Sequence, residues 1–141
     1  MAKKTSIKKV AKLMRDLDFC MLTTLPMRGG THSRPMSNNR EVEFDGDVWF
    51  FSAADSRKVR EIGADPRVEL SYADPARYLF VSLSGEATIV RDPKRKRALW
   101  MKELERWFDE GPESDEVVLI RVTPKTVAYW TKDGDDEVTL G

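Results

Sequence analysis

The chain carries no net charge: 24 Lys and Arg balance 24 Asp and Glu over 141 residues. Bulk attraction to nucleic acid is therefore not expected, and any anion site must come from a local cluster of cations. Cysteine is almost absent. Cys20 stands alone, which excludes an intrachain disulfide and fits a cytoplasmic protein. Histidine is as scarce, with His32 the single example and no Cys/His cluster, so no structural zinc site is read. No apolar run approaches the ~18 residues needed to cross a bilayer, and the start lacks a signal-peptide apolar region, so no membrane partner is expected. The length suits one domain with a proper core.

The patterning predicts one domain over residues 1–141. Ile7, Val10, Met14 and Leu17 fall three or four apart, which predicts an amphipathic helix over about 5–17, with Thr5 or Ser6 as its cap. A barrel is expected over about 19–131. Strand-forming runs at 19–25, 32–44, 47–52, 67–72, 78–90, 117–123 and 126–131 are punctuated by Arg28-Gly29-Gly30, Asp45-Gly46, Asp74-Pro75 and Pro124. Gly85 marks a candidate bulge. Short helices are expected at 56–63 and from Asp92-Pro93 onward, the second with Trp100, Leu104, Trp107 and Phe108 as an apolar stripe. The acidic tail, 132–141, shows no core pattern. Few connections read as βαβ crossovers. The fold class is therefore mainly β, an antiparallel barrel with peripheral helices, because closure removes exposed strand edges.

The chemistry concentrates where an apolar strand, Trp49-Phe50-Phe51, runs into Ser52-Ala53-Ala54-Asp55-Ser56-Arg57-Lys58. Ser52 and Ser56 offer hydroxyls, Arg57 a planar fork of donors, and Lys58 a compact charge. With Ser56 at a helix start, the unpaired N–H groups of the first turn aim at the same place. Arg34, in Ser33-Arg34-Pro35-Met36, adds a cation from a neighbouring strand; its competing reading is an ion pair with Glu41 or Glu43. Strand alternation sets His32, Arg34 and Met36 on one face and Ser33, Pro35 and Ser37 on the other. Such a pocket suits a phosphate ester of a nucleotide-like ligand. By contrast, Lys94-Arg95-Lys96-Arg97 reads as a solvated helix face and Cys20 as a buried strand residue.

Ser52, Ser56, Arg57 and Lys58 at this spacing, then Asp65-Pro66-Arg67-Val68, Ser84-Gly85-Glu86-Ala87 and Val127-Ala128-Tyr129-Trp130, form an ordered set. That set resembles the FMN-binding split β-barrel family, which includes pyridoxamine 5′-phosphate oxidase, and within it the general-stress-protein-26-type subgroup. The resemblance covers Phe19 to Trp130. It implies a six-stranded antiparallel split barrel with FMN as cofactor at a homodimer interface. Arg34, Ser52, Arg57 and Lys58, with Ser56 beside them, would hold the phosphate. The backbone of Arg34, Pro35, Met36 and Ser37 would run along the isoalloxazine edge, Phe51 would lie beside the flavin, and Trp130 would cover it from the second subunit. Three departures separate the chain from the oxidases. A family lysine is replaced by Asn39, a flavin-contacting glutamine by Phe80, and the substrate-binding C-terminal segment by the acidic run Lys132-Asp133-Gly134-Asp135-Asp136-Glu137. The resemblance thus implies an FMN-dependent oxidoreductase with an unnamed small-molecule substrate or electron donor, not a vitamin B6 enzyme. The alternatives are a non-catalytic flavin-binding stress protein, or a binder of deazaflavin or, through His32, of haem. No residue is assigned as catalytic acid or base.

Overall fold

The computed structural model describes residues 2–15, 17–37 and 46–140, without the side chains of residues 2–7 and 103. Ile7 and the caps Thr5 and Ser6 therefore lie outside the described side chains. Asn39, Glu41, Glu43, Asp45 and the strand reading over 38–44 lie outside the described residues.

Helix α1 (Ala2–Met14) starts and ends about three residues earlier than the periodicity predicts. Val10 and Met14 are buried, and Leu17 reaches the same core from a turn closed by its own N–H on the Met14 carbonyl at 3.2 Å. Among the described residues seven strands follow: β1 (Phe19–Thr24), β2 (His32–Ser37), β3 (Val48–Ala53), β4 (Arg67–Asp74), β5 (Leu79–Val90), β6 (Val117–Thr131) and β7 (Gly134–Thr139). Helix α2 (Arg57–Ala64) joins β3 to β4, and α3 (Pro93–Leu99) follows β5. Every ladder is antiparallel, in the order β2-β1-β4-β5-β6-β3, with β7 beside the second half of β6. Gly29 and Gly30, at φ of 85° and 75°, take the left-handed backbone that turns β1 into β2.

Strand β6 is the spine. Val117–Val122 pairs with β3, residues 126–131 pair with β7, and β5 lies along the opposite edge of both. Sequence reading splits this strand at Pro124. The chain instead runs through, because the missing N–H is accommodated at a register shift opposite Gly85. A Cβ at Gly85 would lie 2.2 Å from the Thr123 carbonyl oxygen, so only glycine permits that approach.

The tail is a second correction. β7 pairs Thr126↔Thr139 through Thr131↔Gly134, and Val138 and Leu140 pack on the core. Backbone pairing on an available edge and two apolar side chains outweigh the poor strand propensity of Asp and Glu.

Inside the barrel, one cross-strand row reads Arg34, Leu22, Leu70, Leu83, Val127, Val138. Four of its members are fully buried aliphatics, and a guanidinium closes its β2 end. On the outside of β3 and β6, Trp49, Phe51, Val117 and Leu119 form a second cluster under Trp100, Leu104 and Phe108. The apolar stripe expected on one helix is carried by two short pieces. α3 ends at Leu99, Trp100 is extended, and a 3₁₀ turn spans Lys102–Arg106, leaving Trp107 exposed. Lys96 is buried rather than solvated. Its Nζ donates to the carbonyls of Ser114 at 2.8 Å and Val117 at 3.0 Å, which pins α3 to the start of β6.

Candidate functional site

The site forms where β3 gives way to α2. Ser52, the last inward-facing residue of β3, is buried, and its hydroxyl lies 3.1 Å from that of Ser56. Ser56 stands at the N-cap with extended backbone, but its side chain makes no capping bond; the hydroxyl is spent on Ser52. The N–H groups of the first turn of α2 thus keep their donors for a ligand. Lys58 comes from that turn, partly buried. Burial, and then the neighbouring Arg34 guanidinium, lower its pKa from the ordinary lysine value. Among the described residues Lys58 makes no ion pair.

Arg34 is engaged throughout. Nη1 donates to the Leu22 carbonyl at 3.2 Å and to Thr24 Oγ1 at 2.9 Å; Nη2 donates to Glu61 Oε1 at 2.8 Å and lies against His32 Nδ1. Arg57, 60% exposed, donates through Nε to the other Glu61 oxygen at 2.9 Å. Thr24 hands its own proton to Glu61 Oε1 at 2.7 Å, and His32 Nδ1 is 3.2 Å from the same oxygen. Glu61 is therefore the hub. Burial alone would raise its pKa; the donors Thr24, His32, Arg57 and Arg34 outweigh that and hold it at about 2.

Sequence reasoning misses Glu61. Its only trace is the i,i+4 spacing from Arg57 on a helix whose buried residues are Val59 and Ile62 as well as Glu61. Carboxylates at such positions ordinarily read as solvated. Arg57 shares Glu61 with Arg34, and Lys58 lies beside Arg34.

Of the remaining expected residues, Pro35 and Ser37 are exposed on the outer face of β2, and Met36 is buried in the core. Phe51 lies on the opposite face of β3 from Ser52, edge-on to Trp100 with centroids 5.2 Å apart. Trp130 is exposed on the far half of β6, opposite Phe80 and Asp135. Ser52 pairs with Val118, so about 40 Å of extended chain at ~3.3 Å per residue separates Trp130 from the Ser52 position along one strand. One chain does not bring them together. Cys20 is buried, which pushes its thiol up to about 12 and keeps it from acting as a thiolate nucleophile near neutral pH.

Fold and site together define an antiparallel split barrel with cationic and hydroxyl side chains gathered at a strand-to-helix junction. A family model described as pyridoxamine 5′-phosphate oxidase like matches residues 5–140, and the chain belongs to that family. Protein bli-3 of Neurospora crassa is 28% identical over 87% of this chain, which spans only 63% of that relative's length. General stress protein 26 of Bacillus subtilis is 25% identical, covering 80% of each. Among solved structures, the general stress FMN/FAD binding protein of Xanthomonas citri superposes with a TM-score of 0.76 at 26% identity, covering 91% of this chain and 89% of that one. An F420 reductase shares the fold at a TM-score of 0.63 and 24% identity, over 82% and 93%.

Proposed function

We propose that the protein binds FMN through its phosphate at Ser52, Ser56, Arg57 and Lys58, and uses the flavin as an oxidoreductase cofactor. The observation that carries this reading is Lys58: a partly buried ammonium beside a second cation, with no carboxylate of its own. A phosphate dianion relieves that arrangement. The donor set fits the group, with one ammonium, the Nη groups of Arg57, two hydroxyls and uncapped helix N–H groups. Arg34 serves from behind. Its donors are held by Leu22, Thr24 and Glu61, so it adds charge to the cleft and supports Glu61, which orients Arg57. A bound flavin would supply the hydride or electron chemistry; the chain supplies anchoring and shape.

The exposed rings of Phe19, Tyr78 and Trp130, with Tyr78 edge-on to the half-buried Phe80 at 5.2 Å, support a homodimer in which Trp130 of one copy covers the ring held by the other. The acidic residues of β7 disfavour a phosphorylated substrate, so a pyridoxamine phosphate oxidase activity is not proposed. The general stress FMN/FAD binding neighbour supports FMN over F420, and its higher identity gives it more weight than the F420 reductase.

The test is a visible-spectrum titration with FMN and riboflavin. Saturable FMN binding, tighter than riboflavin, is the expected result, with the preference erased in Lys58→Ala. Equal loss for both ligands in that variant removes the phosphate role. Bleaching of the bound flavin by NAD(P)H faster than free FMN is expected of an oxidoreductase, and failure with every donor tried reduces the protein to a flavin carrier.

A further inference from the structure

Among the described residues every lysine side chain but two is exposed to solvent. Lys96 is buried, and the carbonyls of Ser114 and Val117 claim its ammonium. Lys58 is partly buried, and among the described residues no carbonyl or carboxylate claims its amine. Burial, and then the Arg34 guanidinium, lower its pKa. A larger share of this amine than of an ordinary lysine therefore holds a free electron pair near neutral pH, the form that attacks a carbonyl carbon. Its surroundings offer donors to a phosphate. The Ser52 and Ser56 hydroxyls lie 3.1 Å apart just ahead of it in the chain, and the Ser56 side chain makes no capping bond. The N–H groups of Arg57, Lys58 and Val59 precede the first bond of α2, which runs from the Arg60 N–H to the Ser56 carbonyl at 3.3 Å.

We propose that Lys58 is an acylation site whose acyl donors are small acyl phosphates. The inference rests on the reading of Ser52, Ser56 and the first turn of α2 as a phosphate site. The donor's phosphate occupies that site, on the two hydroxyls, the helix N–H groups and Arg57, and its carbonyl carbon meets the Lys58 amine. The amine's electron pair forms the N–C bond and the C–O bond to the phosphate breaks. Inorganic phosphate leaves with that pair and takes up the proton that the amine gives off; nothing is oxidised or reduced. The product is a neutral amide. Acylation thus removes the ammonium that grips the flavin phosphate, and flavin loading falls as acyl phosphate accumulates.

Incubation of the full chain with acetyl phosphate, followed by peptide mass spectrometry, tests this. Lys58 is expected to acetylate about tenfold faster than exposed lysines such as Lys94 and Lys132. Acetic anhydride carries no phosphate, so with it that lead should shrink. Inorganic phosphate and FMN should each slow acetylation at Lys58 and at no exposed lysine, and Ser56→Ala should slow it about fivefold. Equal rates at Lys58 and the exposed lysines, or an undiminished lead with the anhydride, overturn the proposal. Protection by inorganic phosphate without protection by FMN supports the acylation site and removes the flavin reading. Saturable FMN binding with no lead for Lys58 does the opposite.

Discussion

Arg34 and Lys58 sit side by side at the β3–α2 junction, carry the same charge, and differ in how that charge is used. Arg34, 16% exposed, ends a row of buried aliphatics and is satisfied by a carbonyl, a hydroxyl and a carboxylate. Lys58 is partly buried and makes no ion pair among the described residues, and its proton affinity is lowered. A cation near a cleft is thus not automatically a ligand grip. One of this pair is engaged by the fold, and the other is the one we propose grips the phosphate.

The strongest way to break the contrast is Glu61→Ala. Removing the carboxylate strands Arg34 in a half-buried, unpaired state, and a loss of about 3–5 kcal/mol in urea unfolding is expected. A loss within 0.5 kcal/mol, in the range of about 0–1 kcal/mol typical of surface pairs, would show that the hub is not structural. Next comes Arg34→Ala, which should cost about 1.5–3 kcal/mol of stability and weaken FMN less than Lys58→Ala does. Lys58→Ala should show the reverse pattern: FMN affinity down about 10–100-fold, with stability unchanged or slightly raised because a desolvated charge is gone. If Arg34→Ala hurts binding more than Lys58→Ala, the two roles are assigned the wrong way round.

A smaller effect sharpens the same comparison through pH. The Glu61 carboxyl has an ordinary value of 4.5 and is held at about 2 in the fold. Its contribution is therefore complete above pH 4.5 and is lost as pH falls toward 2. Asp65, held at about 2 chiefly by the Arg67 side chain, acts with the same sign from an exposed site. The wild type should lose stability steadily across that acid window, and Glu61→Gln should flatten part of the slope. Parallel slopes for the two proteins would deny Glu61 its coupling to the arginines.

Much of this was legible in the residues. Strand alternation placed His32, Arg34 and Met36 on one face, the Asp65-Pro66-Arg67 run marked entry to β4, and Gly85 marked the bulge. The Ser52–Lys58 segment was readable because its hydroxyls and cations are close in sequence. Glu61 was not, because its importance lies in contacts to Thr24, His32 and Arg34 from other strands. Lys96 escaped for a similar reason: a lysine in a basic run reads as solvated until two carbonyls far along the chain claim its ammonium. Strand β7 was hidden by its carboxylates, since the bonds that hold it belong to the backbone. Trp130 illustrates a different limit. Within one chain it stays at the far end of β6 from Ser52, so its proposed place over the flavin rests on resemblance and on a second copy that the periodicity does not report.

The shared spine has a consequence in time. Among the described residues strand β3 finds its ladder only on β6, and the Asp47–Arg121 pair at that edge joins residues 74 positions apart. During synthesis at about 5–20 residues per second, Val48–Ala53 leaves the ribosome about 4–15 s before its partner does. Through that interval the apolar run Trp49, Phe50 and Phe51 lacks its β6 ladder, and an unpaired apolar strand is the kind of segment that seeks other chains. The last third of the sequence therefore decides whether the first half stays soluble while it waits.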